Sequence, residues 1–255
     1  MLFFVCVLLL LALVLYRIAR PAYTADFNVA PHCLIVNSRC DRHTPLVQER
    51  GCITRQTEPL AAQSCLLCSF AGGDGLSFDS TGFTVRFTNP RNAGNLFRSH
   101  GLGEQWKLMN RMRDRSCNAW VANILCVRAD GSLKVDWHYD QTWTLRARSG
   151  QQVTPTSIDI CYLRPAKHGG EFVCWHRGVG YAHAVKRFLG LGQLLPEPAA
   201  VVHPSPGMCV RVRGDVLHGV RPAYGGGVRV SLVVENYRLT PRELAKLPHG
   251  AHVFR

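Results

Sequence analysis

Residues 213–235 read RGDVLHGVRPAYGGGVRVSLVVE, and residues 135–143, upstream, read VDWHYDQTW. Side chains on a strand alternate between faces, so Arg229 and Ser231 share one face of the later segment. By the same rule His138 and Asp140 point to one side of the earlier segment. His218 stands on a further strand-like run, eleven positions before Arg229. Two histidines and a carboxylate gathered on one side of a metal are the donor set that suits Fe(II) and leaves positions open. A guanidinium fork at Arg229 suits a carboxylate, and the Ser231 hydroxyl can share it. Together these residues are what is needed to hold iron and a dicarboxylic 2-oxo acid.

With these residues the sequence resembles the 2-oxoglutarate/Fe(II)-dependent dioxygenases, most closely the prolyl and lysyl hydroxylase branch. The resemblance covers roughly residues 118–238. DICYLRPAKHGGEFVCW (159–175) resembles a strand ending in Tyr-Leu, followed by a loop and Gly-Gly-Glu. VHPSPGMCVRV (202–212) resembles the Pro-x-x-Gly turn before the strand leading to the second histidine. HGVRPAYGGGVRVSLVV (218–234) resembles the closing hairpin, His…Gly-x-Arg-x-Ser. A lone His-x-Asp is common by chance; the ordered set is specific. The resemblance implies a mainly β (α+β) fold, a double-stranded β-helix or jelly-roll core with flanking helices. It implies Fe(II) held by His138, Asp140 and His218. It also implies 2-oxoglutarate held at its far carboxylate by Arg229 and Ser231, with Tyr162 touching the same carboxylate. O2 would be the oxidant, succinate and CO2 the by-products, a hydroxylated prolyl or lysyl side chain the product, and ascorbate the reductant that keeps the iron ferrous. Collagen-type prolyl hydroxylases place lysine where Arg229 stands, whereas lysyl and oxygen-sensing prolyl hydroxylases place arginine, so the subfamily stays open.

The 255 residues, 47% of them hydrophobic, describe a globular protein with one sizeable domain. A net charge of +13 favours acidic partners: an acidic polypeptide, an anionic membrane or nucleic acid. LFFVCVLLLLALVLY (2–16) is an uncharged apolar run, extended to Ile18 if Arg17 snorkels. It is short for a spanning helix and long for a signal-peptide core, and no small-x-small cleavage site follows. An uncleaved N-terminal hydrophobic anchor is preferred to a cleaved signal peptide. Arg17 and Arg20 behind the run favour a cytosolic body by the positive-inside rule. The cysteines point the other way. Five of them, Cys33, Cys40, Cys52, Cys65 and Cys68, crowd a short segment, which suits disulfides in an oxidising lumen. Residues 21–255 are therefore expected in the endoplasmic reticulum or secretory lumen, tethered by the first segment. Cys126, Cys161 and Cys174 read as buried small hydrophobes. Cys65-x-x-Cys68 is half a zinc motif with no second pair at standard spacing.

Four segments are expected: an anchor over 1–20, a Cys-rich irregular region over 21–80 packed against the core, a catalytic domain over 81–240, and a tail over 241–255. EQWKLMNRMRDR carries Trp106, Met109 and Met112 at helical spacing, a packing stripe. AHAVKRFLGL reads as a short helix or lid, and Thr240-Pro-Arg-Glu243 reads as a capped helix start. Rival histidines for the third ligand are His168, His176, His183 and His203, with His203 the strongest of them. Trp137, Tyr139 and Trp143 either line an entrance or pack. Two other functions compete. An AlkB-type nucleic-acid demethylase is suggested by Asn118, Asn123 and the Val-Asp-Trp-His-x-Asp motif, but the Arg229 strand lacks that branch's second inward arginine. A catalytically inactive, membrane-anchored binding module is opposed by the presence of the triad and Arg229 together.

Overall fold

The computed structural model describes residues 40, 45–52, 54–70, 80–131, 135–141, 153–175 and 197–254. The apolar run over 2–18, Cys33, Trp143, His176, His183 and the lid segment lie outside them, as do the side chains of Cys68 and Trp137. In chain order the elements are β1 (Val47–Cys52), α1 (Thr57–Phe70), β2 (Ser80–Phe87), α2 (Pro90–Ser99), α3 (Gly103–Met112), β3 (Ala119–Arg128), β4 (Val135–His138), β5 (Ser157–Arg164) and β6 (His168–Gly169). They continue with β7 (Phe172–Trp175), β8 (Ala200–Val202), β9 (Met208–Arg213), β10 (Leu217–Val220), β11 (Ala223–Tyr224), β12 (Val228–Tyr237), α4 (Pro241–Leu244) and β13 (Ala251–Phe254).

The chain is mainly β, with a jelly-roll-like core. A seven-stranded sheet runs β1-β9-β5-β12-β3-β2-β13, and a four-stranded sheet runs β4-β10-β7-β8. All the pairings are antiparallel. The alternation in β12 explains how the layers meet. Val230, Leu232 and Val234 join a core with Phe83, Val85, Ile124, Phe97, Trp106 and Met109, under the helices. Val233, between them, joins a second core with Ile160 and Tyr162 of the large sheet and Phe172, Cys174 and Val220 of the small sheet. The odd-numbered β12 residues thus face the small sheet; we call this the inner face. Each fully buried Ile or Leu in these layers stabilises the fold by ~1.5–3 kcal/mol.

Helix α3 presents Trp106, Met109 and Met112 to the core, the stripe expected from the sequence. Helix α2 begins where Asn89 caps the Arg91 N–H at 2.9 Å and Pro90 occupies the first turn. Thr240 and Glu243 form the reciprocal capping box of α4.

The expected boundaries at 80/81 and 240/241 cut through one sheet. β1 pairs with β9 as one edge and β13 pairs with β2 as the other. α1, within a region expected to be irregular, packs on β5 and β12. Cys52 is a thiol bonded to the Thr54 carbonyl, and Cys117, Cys161, Cys174 and Cys209 are buried thiols. No helix among the described residues is long and apolar enough to cross a membrane.

Candidate active site

β4 and β10 lie side by side with His138 directly opposite His218. Their rings stand 4.4 Å apart, centroid to centroid, and tilted by 57°. Asp140, two residues beyond His138, reaches back between them. Its Oδ1 lies 3.2 Å from His138 Nε2 and its Oδ2 lies 3.6 Å from His218 Nε2. Among the described residues this is the one group of metal-ligating side chains whose donor atoms all lie within 4.8 Å of one another. Ligands ~2.1 Å from one ion at right angles are ~3 Å apart, so the separations fit three adjacent positions of one metal.

The protonation states suit a metal. Burial pushes the His218 imidazole down to about 4, against the opposing pull of Asp140, so the ring is neutral at physiological pH. Its Nδ1 faces the Val216 carbonyl at 3.1 Å, which sets Nδ1 as the donor and leaves Nε2 for the ion. Phe172 stacks on the same ring at 5.4 Å and fixes its plane. Burial raises the Asp140 carboxyl, but the two histidines outweigh it and hold the group below the usual carboxylate range. Of the rival histidines, His168 and His203 are exposed at the surface and away from this cluster.

β12 supplies the other half. Arg229 and Ser231 lie on its inner face, 2% and 1% exposed, and Ser231 pairs with Tyr162 of β5. Arg229 Nη1 donates to Ser231 Oγ at a long 3.4 Å, and its guanidinium carbon sits 5.4 Å from the centre of the Tyr162 ring. Arg229 Nε and the Tyr162 hydroxyl are both buried with no hydrogen-bond partner. Orphaned buried donors are costly, and a carboxylate would satisfy both. Burial drives the Tyr162 phenol up to about 12, so it stays a donor. Gly169 and Gly170 both have positive φ, and a Cβ at Gly170 would lie 3.5 Å from Arg229 Cδ. The glycine pair lets the β6–β7 loop pass close to the arginine. Arg211 and Arg213, other candidates for such a role, are engaged elsewhere. Arg211 forks Asp159 at 2.8 and 2.9 Å, and Arg213 donates to Asp215 at 2.6 Å.

Solved structures with a likeness to this chain include a prolyl-4-hydroxylase from Pseudomonas putida, 15% identical, with a TM-score of 0.44 over 77% of this chain and 95% of that one. A second is a prolyl hydroxylase from Trichoplax adhaerens, in complex with a hypoxia inducible factor oxygen degradation domain peptide fragment. It is 13% identical, with a TM-score of 0.47 over 81% of this chain and 89% of that one. A third is an oxidoreductase of the 2OG-Fe(II) oxygenase family from Burkholderia pseudomallei, 18% identical, with a TM-score of 0.33 over 58% of this chain and 55% of that one. The chain is similar to prolyl hydroxylases and 2OG-Fe(II) oxygenases. No protein-family model matches the chain, and no curated protein matches it in sequence.

All six residues singled out in the sequence are described, in two groups: His138, Asp140 and His218 on the small-sheet side, and Arg229, Ser231 and Tyr162 on the large sheet. Tyr139 packs against Val173, Trp175 and Leu217 instead of lining an entrance. Asn118 is structural, bonded through both amide atoms to Leu239 at 2.8 Å. Asn123 instead faces inward and donates to Glu235 at 2.8 Å. Glu235 escaped the sequence reading, although the two-residue period that places Arg229 and Ser231 on one face also places Glu235 there.

Proposed function

We propose that this chain is a 2-oxoglutarate- and Fe(II)-dependent dioxygenase that hydroxylates a prolyl or lysyl side chain of a protein. The observation that carries the reading is the pairing of a His/Asp/His cluster, its Asp140 ionised and its His218 neutral, with a buried arginine and tyrosine whose donors lack partners. Fe(II) with 2-oxoglutarate supplies, when bound, O2 activation coupled to decarboxylation to succinate and CO2. His138, Asp140 and His218 would hold the ion on one side, leaving its other side to co-substrate and O2. Arg229, Ser231 and Tyr162 would fix the far carboxylate and so turn the 2-oxo end toward the ion. The Phe172 ring, with Ile160, Val220 and Val233 packed in the same cluster, would exclude water around them.

The test is to incubate the protein with Fe(II), 2-oxoglutarate and peptides bearing proline or lysine, then to measure succinate and product mass. Peptide-dependent succinate, with one oxygen atom gained by the peptide, supports the reading. Turnover of a methylated oligonucleotide alone would move the assignment to nucleic-acid demethylation. We further propose that residues 2–18 tether the domain in the secretory lumen, with disulfides among the N-terminal cysteines. Protease protection in sealed microsomes, with thiol counting, checks both.

A further inference from the structure

β5 and β9 are neighbours in the large sheet, and their ladder runs from Ser157 opposite Arg213 to Cys161 opposite Cys209. Among the described residues this is the one register position where cysteine meets cysteine. Cys52 stands opposite Met208, Cys126 opposite Val230 and Thr81, and Cys174 opposite His218 and Ala200.

Side chains directly opposed on a ladder point to the same face. For Cys161 and Cys209 it is the outer face, since both join the core under the helices with Leu60, Leu163 and Leu232. The next outer-face row of the same ladder, Asp159 opposite Arg211, shows that opposed side chains meet here. Arg211 forks the Asp159 carboxylate at 2.8 and 2.9 Å.

Opposed residues of an antiparallel pair have Cα atoms ~4.5–5.5 Å apart, inside the ~4.4–6.8 Å that a disulfide spans. Their Cβ atoms, ~4.5–5.5 Å apart in such a ladder, have to close by up to about 1 Å. β9 has the slack for this. On its other edge Cys209 faces Gly51, at a break of register in β1, and nothing lies within 4 Å of where a Gly51 Cβ would stand. Cys161–Cys209 is also the last pair of the ladder. Beyond it the strands are joined by the Gly207 N–H, which donates to the Tyr162 carbonyl at 2.7 Å.

Cys161 is 0% exposed and Cys209 3%. Contact with the Cys161 thiol, and then burial, push the Cys209 thiol well above its ordinary value. Such a thiol is scarcely ionised once the core has closed, and the thiolate is the reactive form. Any bond between the two therefore forms while β5 and β9 are still assembling. Either cysteine alone would read as a small packing residue. An opposed pair with its thiols in contact is what a cross-link requires.

We propose that Cys161 and Cys209 are an oxidative modification site, closing a cross-strand disulfide when the chain folds in the presence of a small-molecule disulfide of the glutathione class. One cysteine thiolate attacks a sulfur of the oxidant and expels the first small thiolate, giving a mixed disulfide. The second cysteine thiolate attacks the protein sulfur of that mixed bond and expels the other. The cysteines together lose two electrons and two protons, and the oxidant leaves as two thiols. The bond would staple the end of the ladder next to Tyr162, which β5 turns to the opposite, inner face. It is separate from any bond among the N-terminal cysteines and stands whether or not the oxygenase reading holds.

The test uses the full chain, synthesised cell-free in a mixture of reduced and oxidised glutathione poised like an oxidising lumen. The product is quenched with acid, unfolded, alkylated and digested with trypsin without reduction. Peptides 149–167 and 188–211 each contain a single cysteine, Cys161 and Cys209 respectively. The expected product is these two peptides joined, two hydrogens lighter than their sum. Recovery of both as separate alkylated peptides overturns the site. So does either one joined instead to a peptide bearing Cys65, which packs against the same core. Reductant should also lower the thermal midpoint of the oxidised chain by about 5–15 °C, and the shift should shrink in Cys161→Ala. An undiminished shift in that variant overturns the staple. Because the peptide map reads the wild-type chain, a variant that folds poorly cannot hide the answer.

Discussion

Replacing Arg229 with methionine should separate ligand binding from folding. Methionine keeps much of the volume and removes the charge. The guanidinium is 2% exposed, its Nε has no partner, and its one hydrogen bond, to Ser231, is a long 3.4 Å. The Tyr162 ring at 5.4 Å returns only part of the desolvation cost. Without co-substrate, Arg229→Met should therefore leave stability unchanged or raise it by up to about 2 kcal/mol. With co-substrate the sign reverses. Two charge-assisted hydrogen bonds lost to the carboxylate cost about 3 kcal/mol, roughly a hundred-fold in 2-oxoglutarate affinity. Denaturant unfolding of the Fe(II)-loaded protein under nitrogen, with and without 2-oxoglutarate, reads both effects. At a hundred times the dissociation constant the wild type should gain about 2.7 kcal/mol, and the variant almost nothing. A variant that loses more than about 2 kcal/mol without ligand, yet keeps the wild-type response to 2-oxoglutarate, would refute the reasoning.

Three further outcomes are expected. Asp140→Ala should abolish Fe(II)-dependent succinate formation while retaining a cooperative unfolding transition; activity within a few-fold of wild type would remove Asp140 from the ligand set. His218 is held down at about 4, below its unfolded value near 6.5, so its contribution to stability is present above pH 6.5 and is lost as pH falls towards 4. Metal-free unfolding measured across that window should show a decline that flattens in His218→Gln, and an identical slope in both proteins would contradict the buried neutral ring. Gly169→Ala would set a Cβ 2.2 Å from the Pro222 carbonyl oxygen at a φ of +67°, so it should destabilise by at least about 2 kcal/mol, as read by chemical denaturation. A neutral effect there would mean that the β6–β11 pairing is not needed to shape the loop beside Arg229.

The parts of this fold that the sequence reveals are those where burial imposes a period. VRVSLVVE alternates because one face meets the helices and the other meets the small sheet, where His138 and His218 stand opposite each other on neighbouring strands. Edge strands escape for the opposite reason. All of β1 after Val47 is exposed, so VQERGC carries no apolar alternation, and only its pairing with β9 makes it a strand. β13 is likewise defined by its partner β2. Helix α2 carried a readable start in Asn89-Pro90 but only three buried residues, Ala93, Gly94 and Phe97, too few to announce an apolar stripe. Within the site, the triad and Arg229 were legible because their spacing follows from strand geometry. The Asn123–Glu235–Tyr237 cluster was not, because it joins β3 to β12 across 112 positions and becomes visible only when the strands pair.

The central claim is that one iron and one 2-oxoglutarate occupy adjoining halves of a single site. Anaerobic equilibrium titration of the chain with Fe(II), and then with 2-oxoglutarate, tests it most directly. The account predicts one Fe(II) per chain, and one 2-oxoglutarate whose binding depends on that iron and is weakened about a hundred-fold in Arg229→Met. Fe(II) bound equally well by Asp140→Ala, or 2-oxoglutarate bound with the same affinity with and without Arg229, would contradict it.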